Sequence, residues 1–286
     1  MSDEHDPTDA GDAPPSPPGG TSPAGTPPTE LVLVERDGDV VHVRFARPDR
    51  HNALLPEMWQ RFAAIGADLV ADETVKAVVV SGEGASFSSG LDRRALASGA
   101  LSPFTFTGRE EDRGRTEFGD DDIVAAQAVG RWLHDGDFVS IAATRGFAFG
   151  AAAQITFACD VRVVGDDTTF RLPEIEIGLF PEMTATALLP GIVGYDRALE
   201  IGLTGRPVDA AEAERIGLAT RVVAADRAVD EALELARHVG SLKHAAVRHC
   251  VRAMRLGARG RTDDAFREAR LGGIQLLGDL VTEWDG

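Results

Sequence analysis

Between Arg145 and Met183 the chain sets a Gly/Ala-rich turn, an apolar run and the carboxylate of Glu174 in an order suited to enolate chemistry on a thioester. An enolate is stabilised by backbone N–H groups aimed at a carbonyl oxygen, with a carboxylate near the α- or γ-carbon to move the proton. Gly146, Gly150 and Ala151–Ala153 are small enough to let the main chain approach a ligand closely. Gln154, polar within this apolar run, marks where the predicted helix faces a cavity. A Gly/Ala helix packed tightly in a core has the same composition, so the inference needs the remainder of the chain.

The elements that must hold these residues are legible from periodicity. Leu31–Arg36 and Val40–Arg44, separated by Asp37-Gly38, predict a β-hairpin. Met58, Phe62, Ile65 and Leu69 give Pro56–Val70 a helical spacing, and the β-branched run Lys76–Val80 reads as a buried strand. The polar, glycine-containing segment 97–122 predicts a mobile insertion. Helical periodicity returns over Ile123–His134, with strands at Val139–Ala143, Val161–Val164 and around Phe170. Thr186–Val193, Asp209–Ile216 and Ala228–Val239 then read as helices leading into a mostly helical C-terminal third. Strands and helices alternating along one body predict an α/β fold.

Composition narrows the partners. The 286 residues carry a formal net charge of −17, which argues against nucleic acid or an anionic membrane as partner. The same field opposes an anionic cofactor such as coenzyme A unless Arg or Lys is supplied locally. Cys159 and Cys250 are the only cysteines, too few for a disulfide framework or a metal cluster and consistent with a reducing cytoplasm. No apolar run approaches the roughly 20 residues of a bilayer span, and the N-terminus lacks the basic and apolar parts of a signal peptide. Residues 1–30 hold eight of the 15 prolines and six acidic side chains but no Lys or Arg, and predict a disordered tail. The organisation expected is therefore tail 1–30, a core domain over 31–224 and a helical region over 225–286.

Five separated pieces, in order, resemble the crotonase (enoyl-CoA hydratase/isomerase) superfamily. They are Arg47-Pro48 with Asn52-Ala53-Leu54, the run Ala85–Asp92, the block Gly146–Asp160, Leu172-Pro173-Glu174-Ile175 through Gly178, and Leu203–Arg206 with Ala210–Leu218. The resemblance implies a spiral of ββα units with a C-terminal helical region that builds trimers, often stacked as hexamers. It implies an acyl-CoA thioester as substrate, coenzyme A being part of that substrate, with no metal or redox cofactor. Carried over by position, the oxyanion hole falls to the backbone N–H groups of Ser88 and Ala151. The acyl-CoA-binding positions fall to Arg47, Arg50, Asn52, Ala53, Ser86, Gly90, Leu91, Asp92 and Gly150.

The chain departs from the family at informative places. Alanines stand where a Gly-Gly run is usual, which keeps the N–H but narrows the approach. Gln154 replaces the first of two glutamates found in hydratases, and a carboxamide has no useful basicity. Glu174 keeps the second position, so a one-carboxylate site resembling the family's double-bond isomerases is expected. Glu182, eight residues later, stands where dienoyl-CoA isomerases have an aspartate; it is either a second carboxylate or, after Pro181, a charge complementing a helix dipole. Hydratase chemistry, another enolate reaction of a biosynthetic pathway and a non-catalytic acyl-CoA-binding protein remain the alternatives.

Other candidates carry less. His51 reads as a loop residue near the nucleotide end of the ligand, and Glu176 as solvated. G-x-S-x-G is absent, and Gly82-Glu83-Gly84 does not complete a dinucleotide loop. Phe104, Phe106 and Phe118 either line an acyl pocket or anchor a surface loop. Arg248, Arg252 and Arg255 offer phosphate contacts, and the family's C-terminal aromatic and lysine motif is not visible after Asp264.

Overall fold

A computed structural model describes residues 28–97 and 102–284. Most of the tail expected over 1–30 lies outside these residues, but its last three residues form a helical turn with Leu31, Pro28–Leu31, that buries Leu31, expected as the first residue of the hairpin strand. Nine strands occur among the described residues: β1 (Val32–Asp37), β2 (Val40–Phe45), β3 (Ala77–Gly82), β4 (Val139–Thr144), β5 (Phe147–Phe149), β6 (Val161–Gly165), β7 (Thr169–Arg171), β8 (Val208–Asp209) and β9 (Arg221–Val223). β1 and β2 form the predicted hairpin, with the turn one residue later than expected. Asp37 pairs with Val40, so Gly38 and Asp39 make the loop, and Gly38 takes the φ of +60° that such a turn requires.

From β2 onward the large sheet is parallel, in the order β1-β2-β3-β4-β6-β9. β3 is buried at every position, as expected of a strand covered on both faces. β5, β7 and β8 form a second, smaller sheet. The chain thus visits the large sheet, then the small one, then a helix: β4 and β5 lead into Ala151–Ala158, and β6 and β7 into the helices Ala185–Val193 and Tyr195–Thr204. This is the ββα spiral, an α/β fold.

The helix Pro56–Ala71 starts with its proline in the first turn and buries Met58, Trp59, Phe62, Ile65 and Leu69. It packs against the helix Asp120–Asp135, where Gly66 faces the Trp132 ring. The first helix of the region expected over 225–286, Ala228–Gly240, lies instead on the large sheet, burying Ala232 and Ala236 against Val79, Ile141 and Val163. The last two helices, His244–Ala258 and Thr262–Trp284, pair with each other.

Over its described residues, segment 97–122 carries internal polar pairing. Asp112 is buried and accepts from Thr107, Arg109 and Arg115, and Arg115 also pairs with the buried Asp122. Residues 98–101 lie outside the described residues. Pairing of these polar residues with one another is a pattern that composition does not encode.

The helix–helix contact at Gly66 is testable. A methyl group there would lie 2.4 Å from the Trp132 ring. Alanine improves helix propensity by about 1 kcal/mol, whereas overpacking costs about 1–3 kcal/mol. Gly66→Ala is expected to lower the urea midpoint at an unchanged m-value; a midpoint at or above wild type would contradict this packing.

Candidate active site

The loop 85–92 is held by a buried polar frame. Asn52 is fully buried, at φ +53°; its Oδ1 accepts from the Arg47 N–H at 2.7 Å, and its Nδ2 donates to the carbonyls of Glu83 and Ser86. The Arg47 guanidinium, 7% exposed, pairs with Asp92 at 2.7 Å and donates to the Ala53 carbonyl. Leu54 N–H donates to Gly90 O, and Asp92 N–H to Leu54 O. His51 Nδ1 and Ser86 Oγ lie 3.0 Å apart, with the imidazole ring against Phe147. Arg47, Asn52, Ala53, Ser86 and Asp92, expected from the sequence to touch the ligand, are thus engaged in holding the loop.

Ser88 is a second correction. Its N–H donates to Phe147 O at 2.8 Å, and its hydroxyl to Asn52 O, so its amide is committed to the pairing of this loop with β5 and cannot face a substrate oxygen. Among the described residues the N–H of Leu91 has no partner. Gly90, at φ +87°, brings this peptide so close to β5 that a Cβ on it would lie 2.6 Å from Phe149 O and 3.9 Å from the Ala151 nitrogen. Ala151 is the first residue of the buried helix Ala151–Ala158, after Gly150 at φ +54°, and its N–H is one of the orphan donors of a helix start. The free amides of Leu91 and Ala151 are therefore neighbours.

Glu174 sits in the 3-10 helix Pro173–Ile177, against this helix start: a Cβ on Gly150 would lie 3.5 Å from its Oε1. Gln154 is 1% exposed and donates from Nε2 to Glu174 Oε1 at 2.9 Å, while Glu174 Oε2 is buried without a partner. Burial pushes the Glu174 carboxyl above its ordinary value. Hydrogen bonds from its own backbone N–H and from Gln154 oppose the rise, and the charge of Glu182 adds to it. Glu182 lies before the helix Ala185–Val193, whose N-cap is Thr184, so Pro181 does not occupy a first helical position. The Glu182 carbonyl accepts from Gln127 at 2.9 Å. Glu176 pairs with Arg171.

The cations sort into two sets. Arg248 and Arg252 pair with Asp137, and Arg255 with Asp160, which ties the last helices to the core and leaves these three engaged within the fold. Arg50 is 3.9 Å from Asp49. Arg93 and Arg94, directly after the Gly90-Leu91-Asp92 turn, are exposed, and among the described residues they carry no ion pair. The sequence reading missed this pair, although two consecutive arginines beside the loop were a visible signal in an acidic chain. Phe106 packs on Trp59 and on Phe118, which supports its reading as an anchor, while Phe118 stays half exposed. The Phe104 side chain lies outside the described residues.

Comparison with known proteins shows the family to which the chain belongs. The profile of the enoyl-CoA hydratase/isomerase family matches residues 35–275. A probable enoyl-CoA hydratase of Mycobacterium bovis is 31% identical over 77% of this chain and 79% of its own. The peroxisomal Δ3,5-Δ2,4-dienoyl-CoA isomerase of Arabidopsis thaliana is 29% identical over 76% and 78%. A Thermobifida fusca protein assigned as an enoyl-CoA hydratase and solved with acetoacetyl-CoA superposes with a TM-score of 0.77 at 33% identity, over 88% of this chain and 97% of its own.

Two outcomes follow from the site geometry. Gly90→Ala forces a side chain into a left-handed backbone and against Phe149 O, so it is expected to separate the two free amides. Turnover should fall about 10²-fold or more, the scale of losing an oxyanion donor, while the far-ultraviolet circular dichroism is kept. The Glu174 shift has a stability consequence of fixed sign: a carboxyl whose folded pKa is raised disfavours the folded state once both states are ionised. Glu174→Gln is therefore expected to raise Tm at pH 8, with the difference vanishing as pH falls below both the unfolded and folded values; equal Tm values at pH 8 would contradict it.

Proposed function

The chain belongs to the enoyl-CoA hydratase/isomerase family, and from that premise we propose that it is an acyl-CoA double-bond isomerase with Glu174 as its one proton-transferring base. The observation that carries this reading is the pair formed by Gln154 and Glu174: one carboxylate, one carboxamide, 2.9 Å apart. The thioester carbonyl oxygen accepts from the N–H groups of Leu91 and Ala151, the second of these at a helix N-terminus that favours negative charge. Glu174 takes a proton from C2 of a 3-enoyl thioester, and the C–H electrons move into the enolate held by the two amides. The same carboxyl then delivers the proton to C4 as the enolate reforms the thioester carbonyl, giving the 2-enoyl product with no water added.

Coenzyme A enters as part of the substrate, and its phosphates need cations that the protein's own carboxylates have not claimed; Arg93 and Arg94 answer that need in a chain of net charge −17. A second reading, dienoyl-CoA isomerisation, is favoured by Glu182, whose charge acts on Glu174 and which could receive the proton at a more distant carbon. Hydration would require water activated with Gln154 in the place of one carboxylate. The exposed Phe266, Ile274, Leu277 and Val281 of the last helix support association with further copies of the chain, for which the family resemblance implies a trimer or a dimer of trimers.

The test is proton exchange in deuterated water with matched 3-enoyl-CoA and 2-enoyl-CoA, using wild type and Glu174→Gln. Deuterium should enter C2 or C4 without a 3-hydroxyacyl product, and exchange should fall about 10³-fold or more in the variant, as for loss of a general base. Full exchange in Glu174→Gln, or 3-hydroxyacyl-CoA as the main product, would overturn the isomerase mechanism.

A further inference from the structure

The Gln154 side chain makes contacts that a mere replacement for a glutamate does not need. Its Oε1 accepts three backbone N–H groups, from Met183 at 3.1 Å, Thr184 at 3.1 Å and Ala185 at 3.2 Å. Its own carbonyl accepts from the Thr184 hydroxyl at 2.5 Å. Three donors on one atom fix which end of the amide is oxygen, so the NH₂ end necessarily points at Glu174. One buried side chain thus joins the helix Ala151–Ala158, whose first amide is free, to the start of the helix Ala185–Val193 and to the carboxylate between them.

We infer that Gln154 is a positioning residue for proton transfer: its amide, oriented by three main-chain donors, pins Glu174 Oε1 and leaves Oε2 as the oxygen that exchanges the proton. This rests on the isomerase reading above and adds an assignment of atoms to it. Oε2 is buried with no partner, the condition of an acceptor kept free for a substrate hydrogen. By clamping residues 183–185 the same amide also holds the turn that carries Glu182. Gln154 remains neutral throughout; a carboxylate in its place would keep the three acceptor contacts but face Glu174 with a second negative charge.

Gln154→Glu is therefore the informative variant, because it preserves the clamp and changes only the group facing Glu174. Two carboxylates at this separation cannot both ionise freely, so they share a proton. The groups facing Glu174 are Gln154 and Glu182; Arg171 and Glu176 of the adjoining segment pair with each other. Deuterium exchange at C2 is followed against pH, together with kcat, KM and Tm. The ascending limb of the kcat profile is expected to move up by about one pH unit or more, with kcat about tenfold lower at pH 7, KM within about twofold and the rate recovered at alkaline pH. A Gln154→Glu profile that superposes on wild type would overturn the inference.

If Gln154→Glu does not fold, the exchanged double variant Gln154→Glu/Glu174→Gln keeps one amide and one carboxylate across the same hydrogen bond. It is expected to fold with exchange at least about 10²-fold below wild type, because the carboxylate is then held by the clamp. Wild-type exchange in it would overturn the positioning role. Loss of exchange in Glu174→Gln with an unshifted Gln154→Glu profile would sink this inference alone, whereas full exchange in Glu174→Gln would sink the isomerase reading beneath it.

Discussion

Gly150 turns the chain out of β5 at a φ of +54°, and the next residue begins a helix whose eight residues are all buried. A helix start leaves N–H groups without carbonyl partners, and burying such donors is costly unless something accepts from them. The Gly150 N–H is itself satisfied by Arg171 O, so the orphan donors begin at Ala151. A side chain at position 150 would lie within 3.5 Å of Glu174 and would need a backbone conformation that L residues rarely adopt. One glycine therefore fixes where the helix begins, which amide is left free and how near the carboxylate stands to it.

The buried polar residues around this start form the frame for the site. Arg47, Asn52, Asp92 and Ser88 spend their hydrogen-bonding capacity on the loop that presents Leu91. Each is 12% exposed or less, and a buried charge or amide is tolerated only when its partners are close and complete. A frame of this kind restrains the loop in one position, so that the free amide of Leu91 keeps its place beside that of Ala151 before substrate arrives. Preorganised dipoles need no rearrangement when charge develops, the property an oxyanion site requires.

The elements with a clean period were legible in the sequence. The helix Pro56–Ala71 and the strands β3, β4 and β6 each lie within two residues of the expected bounds, because burial of an apolar face fixes the period. Glu174, Gln154 and Ala151 converge as their order implied. Ser88 was not legible as a committed donor: which amide of the 85–92 loop is free depends on its register against β5, a contact between segments some 60 residues apart with no local signature. Arg47 was not legible as a strut for the same reason, since a cation beside a ligand loop and one beneath it look alike until Asp92 is seen 2.7 Å away. The pairing inside the polar insertion was not legible because composition reports hydrophilicity alone, whereas Asp112 and Asp122 are buried against Arg109 and Arg115.

In the isomerase reading, one carboxylate meeting the substrate constrains the chemistry more than its strength does. Adding water to a double bond asks one group to hold and deprotonate the water and another to supply a proton to carbon. Moving a double bond asks one group to collect a proton and return it elsewhere, and a carboxylate with one oxygen pinned and the other free can do both in turn. Burial raises the affinity of Glu174 for that proton, and the Gln154 hydrogen bond acts in the opposite sense, so the two together set its balance between base and acid. A second glutamate at position 154 would tip this balance toward the protonated pair. The carboxamide keeps the acceptor for the backbone N–H groups of Met183, Thr184 and Ala185 while placing no second charge beside Glu174.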